Sequence, residues 1–167
     1  IHTYYKGNTA AIPLIRLSLA GTDYTDETVV RFDEKAKSGF DYDFDMVKLL
    51  PSSLRTQIYT ALDGVNYAIN GVPFPDTTIS IPVALNLTSG GMHTIAASAI
   101  RELFWYNVKL TDNSTGITTD LKKTPSYSFS APKGPVTGRF TLTVSNSLTA
   151  VEKVPESQDD FRVYPDG

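Results

Sequence analysis

ISIPVALNLT, residues 79–88, sets larger apolar side chains against polar or small ones at every second position. Ile79, Ile81, Val83, Leu85 and Leu87 fall on one side, and Ser80, Pro82, Ala84, Asn86 and Thr88 on the other. A period of two is the signature of a strand with one buried and one wet face. The same pattern recurs from end to end. Ile15, Leu17 and Leu19 alternate with Arg16 and Ser18, and Phe140, Leu142 and Val144 alternate with Arg139, Thr141 and Thr143. Tyr127 and Phe129 stand between Ser126, Ser128 and Ser130.

Further strands are predicted over 28–32, 57–62, 65–70, 92–98 and 104–111. The last places Phe104, Tyr106, Val108 and Leu110 on one face and Trp105, Asn107 and Lys109 on the other. Asp63-Gly64 joins two of these segments as a favoured hairpin pair. Pro73 and Pro75 mark a loop, and Ser89-Gly90-Gly91 a turn. No segment carries a helical stripe beyond a turn or two. The expected fold class is therefore all-β, an antiparallel β-sandwich of jelly-roll type. Phe32, Tyr106, Phe129 and Phe140 are its expected interior rings.

The chain has 167 residues, enough for one domain whose core needs no staple. It contains no cysteine, which excludes disulfides, thiolate metal sites and a cysteine nucleophile. The net charge is −3, and the aromatics do not sit among Lys and Arg, so nucleic acid is not an expected partner. No apolar run approaches the ~20 residues of a helical membrane span. The alternation stops after Ser145. Residues 1–146 are expected to form the sandwich domain, and 147–167 a linker with the truncated start of a following strand. Starting at Ile1 without Met, the chain reads as part of something longer.

Several tracts resemble a known region in combination. Arg16 to Leu50 sets Asp26-Glu27-Thr28 before Gly39-Phe40-Asp41, with Asp45 and Lys48-Leu49 following. Val108 to Val144 sets Asp112, Thr115-Gly116, Asp120-Leu121, Tyr127, Phe129, Ala131 and Arg139-Phe140 in succession. Both tracts are similar to a β-sandwich module of large exported Bacteroidetes proteins. The tail Phe161-Arg162-Val163-Tyr164-Pro165 resembles the opening of the C-terminal sorting domain of type IX secretion cargo. That family has Asn-Pro after its Tyr-Pro, where this chain has Asp166-Gly167. The resemblance implies secretion, display at the cell surface and a non-catalytic accessory role beside a sorting signal. The expected partners are neighbouring domains of the same polypeptide.

Four constellations bear on chemistry. Asp41, Asp43 and Asp45 have a spacing that calcium favours, with Asp33 or Glu34 as further ligands. An EF-hand loop starting at Asp41 would need Gly where Met46 stands and Glu where Ser52 stands, so the motif is not that one. The competing reading is an extended wet face of acids backed by Phe40, Tyr42 and Phe44. Trp105, placed outward, is a candidate contact for surface glycans, and the alternative function is an adhesin-like module that binds carbohydrate or host glycoprotein through Trp105 or the acidic loop. A sugar platform needs a second ring, which Tyr4, Tyr5 or Tyr24 would supply only through folding; the competing reading has Trp105 covering a sheet edge or a loop.

Asp76-Thr77-Thr78 fits the O-glycosylation pattern implied by the resemblance, with Thr77 as acceptor. Asn86-Leu87-Thr88 and Asn113-Ser114-Thr115 match the N-glycosylation pattern, but read as a strand position and a turn. His2 and His93 are the only histidines, and no nucleophile elbow, zinc motif or phosphate loop is present. His93 is expected to point outward. No catalytic residue is assigned, and the chain is not expected to be an enzyme. Lys35, Lys37, Lys122 and Lys123 read as solvated charges.

Overall fold

The computed structural model describes residues 11–20, 25–49 and 55–149. His2, Tyr4, Tyr5, Tyr24 and the sorting-like tail lie outside them. The described residues form strands β1 (Leu14–Ala20), β2 (Thr25–Phe32), β3 (Met46–Val47), β4 (Gln57–Leu62), β5 (Val65–Val72) and β6 (Thr78–Leu87). They continue as β7 (Gly91–Arg101), β8 (Tyr106–Asp112), β9 (Ile117–Asp120), β10 (Ser126–Ala131) and β11 (Gly134–Asn146), followed by a 3-10 turn at Ser147–Thr149. None of these elements is an α-helix, as the period-two pattern requires.

The eleven strands join into one sheet in the order β10-β7-β1-β2-β5-β4-β6-β11-β8-β9, with β3 on β5. That sheet is mixed and nearly closed into a barrel. Two points of the expectation change. The strands hydrogen-bond as a single sheet rather than two. One pair is parallel: β2 and β5 run together from Val29 opposite Ile69 to Phe32 opposite Val72. A parallel pair needs a long crossover, which the chain between Phe32 and Val65 supplies through β3 and β4. Periodicity reports which face is buried and says nothing of strand direction.

Local choices follow the sequence. β6 buries Ile81, Val83, Leu85 and Leu87 and exposes Ser80 and Pro82, although Ala84 is buried too. Its ladder to β4 ends where Thr60 faces Val83, and Pro82 stands just past that end, where a missing N–H is tolerated. The β4–β5 hairpin turns at Asp63 and Gly64, with φ of 50° and 78°, and sets Leu62 opposite Val65. Two successive positive φ values define the I′ turn that matches strand twist. The core is built from inward residues of most strands, among them Ile15, Leu17 and Leu19 of β1, Leu85 and Leu87 of β6, and Phe140, Leu142 and Val144 of β11. Burying each such side chain stabilises the fold by roughly 1.5–3 kcal/mol. Phe32, Phe129 and Phe140 lie in this core, and Tyr106 packs half-buried against it.

Candidate functional site: two buried ionic clusters and an aromatic rim

β10 and β9 are the two ends of the sheet, and side chains tie β10 to β8 and β11, the strands next to β9's end. Asp112, at the end of β8, has no exposed side-chain surface. Its carboxylate accepts from Arg139 Nε at 3.0 and 3.2 Å and from Nη2 at 2.8 Å. It also accepts from Tyr127 Oη at 3.0 Å, from Ser114 N at 3.0 Å and from Ser114 Oγ at 2.6 Å. Arg139 Nη1 donates to the Ser130 carbonyl of β10 at 2.9 Å. One buried ion pair thereby connects β8, β10 and β11. The Arg139 guanidinium, assisted by Ser114 and Tyr127, holds the Asp112 carboxyl far below the ordinary carboxylate range against the opposing effect of burial. The same pair raises the Arg139 pKa. The guanidinium also lies 4.9 Å from the Phe129 ring centre and 5.2 Å from that of Phe140.

A second cluster ties down the 33–49 crossover. Lys48 Nζ donates to both Asp26 oxygens, at 2.7 and 2.6 Å, and to the Glu27 carbonyl at 3.1 Å. Asp26 also accepts from Ile58 N at 2.8 Å. Both side chains of this pair are more than nine-tenths buried. Thr28 Oγ1 donates to the Tyr67 carbonyl at 3.1 Å. Neither cluster was singled out as a site by sequence reasoning. The residues carrying the resemblance mark both of them: Asp26, Thr28 and Lys48 in one tract, and Asp112, Tyr127 and Arg139 in the other.

The acidic triplet is not an extended strand. Residues 42–44 form a turn, so the side chains do not alternate. Asp41 Oδ1 accepts from Asp43 N at 3.1 Å; Asp45 accepts from Asp41 N at 2.7 Å and from Gly71 N at 2.6 Å. Two of the three carboxylates therefore secure backbone amides of the loop and of β5. No group of three or more His, Cys, Asp or Glu among the described residues is placed to hold a metal ion. Arg31 lies over the Phe44 ring at 5.1 Å, and Tyr42 is exposed. Burial, with Asp45 and Asp63 nearby, pushes the Tyr67 hydroxyl pKa up.

His93 turns inward rather than outward. It is buried, its ring lies 5.8 Å from that of Phe129, and its Nε2 finds no hydrogen-bond partner among the described residues. Gly91, with φ of 122°, starts β7 in a phase that periodicity did not reveal. Thr77 is exposed in the loop before β6, as an acceptor must be, and its carbonyl takes a bond from Asn146 N at 2.8 Å. Asn113 donates to the Gly138 carbonyl and to Thr141, which accounts for it as a turn residue.

One end of the barrel differs in character. β8 begins at Tyr106, so Phe104 and Trp105 belong to the preceding turn and not to a strand face. Phe104, expected inward, is 75% exposed, and Trp105 is 65% exposed. The two exposed rings are neighbours in the chain, whereas Tyr4, Tyr5 and Tyr24 lie outside the described residues. Lys122, expected to be solvated, holds this turn: its Nζ donates to the Leu103 carbonyl at 2.6 Å and to that of Phe104 at 3.4 Å. A groove of about 470 Å³ opens on one side, lined by Ser98, Ile100, Glu102, Phe104, Leu121 and others. A second groove of similar size is lined by Glu34, Pro73, Phe74, Asp76 and Tyr106. The Phe74 and Tyr106 rings stand 5.7 Å apart, and Phe74 continues inward to Phe32 at the same spacing.

Residues 13–144 match the model of a family described as a domain of unknown function, DUF8693. No curated protein and no solved structure matches the chain. No helix among the described residues is long and apolar enough to cross a membrane.

Proposed function

We propose, for a chain that belongs to the DUF8693 family, a non-catalytic structural role in an exported bacterial surface protein. The domain would present its neighbours and join them to a C-terminal sorting signal. We read the barrel as flattened, its two halves facing one another across the Phe129–Phe140 core as sandwich layers do. The observation that carries the structural role is where the ionisable side chains are spent. Asp112, Arg139, Asp26 and Lys48 are committed to tying strands together. These are also residues through which the chain resembles modules of type IX cargo, which supports the surface location. Buried charges paired and hydrogen-bonded in this way support a role in fixing geometry rather than in turnover.

Protease treatment of intact cells of the source organism tests this reading. Fragments of the domain should be released by added protease while a cytoplasmic marker survives. Disabling the type IX secretion apparatus should make them resistant. Protection from the added protease in wild-type cells would overturn the surface assignment.

A second reading, contact with glycans, is favoured by the exposed Phe104–Trp105 pair. Two adjacent exposed rings are what a flat apolar sugar face requires.

A further inference from the structure

We propose that the groove lined by Ser98, Glu102, Phe104 and Leu121 is a subsite for a neutral glycan. The inference rests on the second reading above and deepens it by naming the pocket, its polar contacts and the class of sugar.

Three independent features converge on this groove. The first is a β-bulge. β1 and β7 pair with Arg16 opposite Ala99 and Leu17 opposite Ala97, so Ser98 is the extra residue. A bulge re-aims a side chain out of the regular alternation, and Ser98 lines the groove. Its hydroxyl makes only a long bond, 3.4 Å to the Arg16 carbonyl. The second is backbone strain. Glu102 has φ of 55°, in the left-handed region that non-glycine residues seldom enter. Strain of this kind clusters where a side chain must be held for a purpose. The Glu102 carboxylate makes no ion pair or hydrogen bond among the described residues. The third is the exposed ring of Phe104, with Trp105 beside it.

Together these supply an apolar face for sugar C–H groups and a hydroxyl and a carboxylate for sugar hydroxyls. The volume, about 470 Å³, lies within the range of small-ligand pockets.

Charge decides among sugars. Among the described residues the only lysine or arginine lining the groove is Lys122, whose Nζ is already engaged with the Leu103 and Phe104 carbonyls. The second groove adds Glu34 and Asp76 and no cation. In the groove a uronic or sialic acid would meet the Glu102 carboxylate, and the described cation that lines it is already engaged. A neutral sugar meets acceptors for its hydroxyl protons.

Affinity electrophoresis of the whole chain in gels containing laminarin, glucomannan, xylan or polygalacturonate tests this. At least one neutral polysaccharide should retard the protein, and polygalacturonate should not. Glu102→Gln and Phe104→Ala should each weaken the retardation about tenfold, the loss expected of one charged hydrogen bond or one stacking contact, and Ser98→Ala should weaken it less. Trp105→Ala separates the two readings. If Trp105→Ala weakens binding while Glu102→Gln and Ser98→Ala leave it unchanged, the aromatic platform stands and the groove proposal falls. Retardation by polygalacturonate as strong as by a neutral polymer overturns the assigned class. Migration unaltered by all four polymers overturns both readings. Unfolding midpoints of the variants, measured alongside, show that each is folded when tested.

Discussion

A carboxylate with no surface in water needs a cation, and Asp112 has Arg139. Removing one partner of a buried pair leaves the other charged and unmatched, which costs about 3–5 kcal/mol. Asp112→Ala should therefore lower the urea midpoint sharply at pH 7. The pH dependence has a definite sign. The folded pKa of Asp112 lies below its ordinary value, so its contribution is complete above about pH 4 and drains away as acid protonates it in the fold. The difference between wild type and Asp112→Ala should be constant from pH 7 to 5 and shrink below pH 4. A difference that stays constant down to pH 2 would show that the charge is not what holds the site. Sequence reading could not find this pair, because residues 27 positions apart share no local pattern. A lone aspartate at the end of a strand looks like any turn residue. His93 failed for a related reason: its inward aim depends on where β7 starts, not on its neighbours.

At the level of elements, most strands were legible, and the turns only in part. β6 and the β4–β5 hairpin follow directly from period two and from Asp63-Gly64. The 41–45 segment alternates as a strand does, yet it turns, because Asp41 and Asp45 offer backbone amides an alternative to a ladder. Two of its three acids are consequently engaged, and a calcium titration gives a clear expectation. Millimolar calcium should shift the melting temperature by less than about 1 °C relative to chelator, since an ion without affinity for the folded state does not stabilise it. A calcium-dependent rise of several degrees would restore the metal reading. The same loop presses on β5 at Gly71, where an added Cβ would fall on the Phe44 side chain and close to its carbonyl. Backbone yields little, so Gly71→Ala should cost about 1–3 kcal/mol as overpacking. The matching control, Phe44→Gly in the same background, removes the Cβ that the new methyl would meet and should recover part of that loss in a double-mutant comparison, whereas Phe44→Ala keeps that Cβ and should not. The Phe104–Trp105 turn was misread as strand because apolar spacing cannot tell a ring that faces the core from one that closes a loop.

For the molecule as a whole, the all-β class was written in the sequence, whereas the path of the sheet was not. Strand order and the parallel β2–β5 pair depend on contacts between distant segments, which periodicity does not encode. The core itself was anticipated: Phe129 and Phe140 stand 4.7 Å apart, beneath the Arg139 guanidinium. Phe140→Ala should destabilise by about 3–5 kcal/mol and, because the ring also supports the ion pair, should couple to Asp112→Ala instead of adding to it. Strict additivity in chemical denaturation would show that the rings and the ion pair act separately. The join between the sheet's ends carries one last consequence. Ladder bonds, which hold β8 to β11, are indifferent to acidity, whereas the side-chain fastening of β10 to that pair centres on one ionised group. Strong acid should thus loosen the clasp while its links stay whole, leaving the Phe129–Phe140 packing and the Arg139–Ser130 bond to keep the bracelet shut.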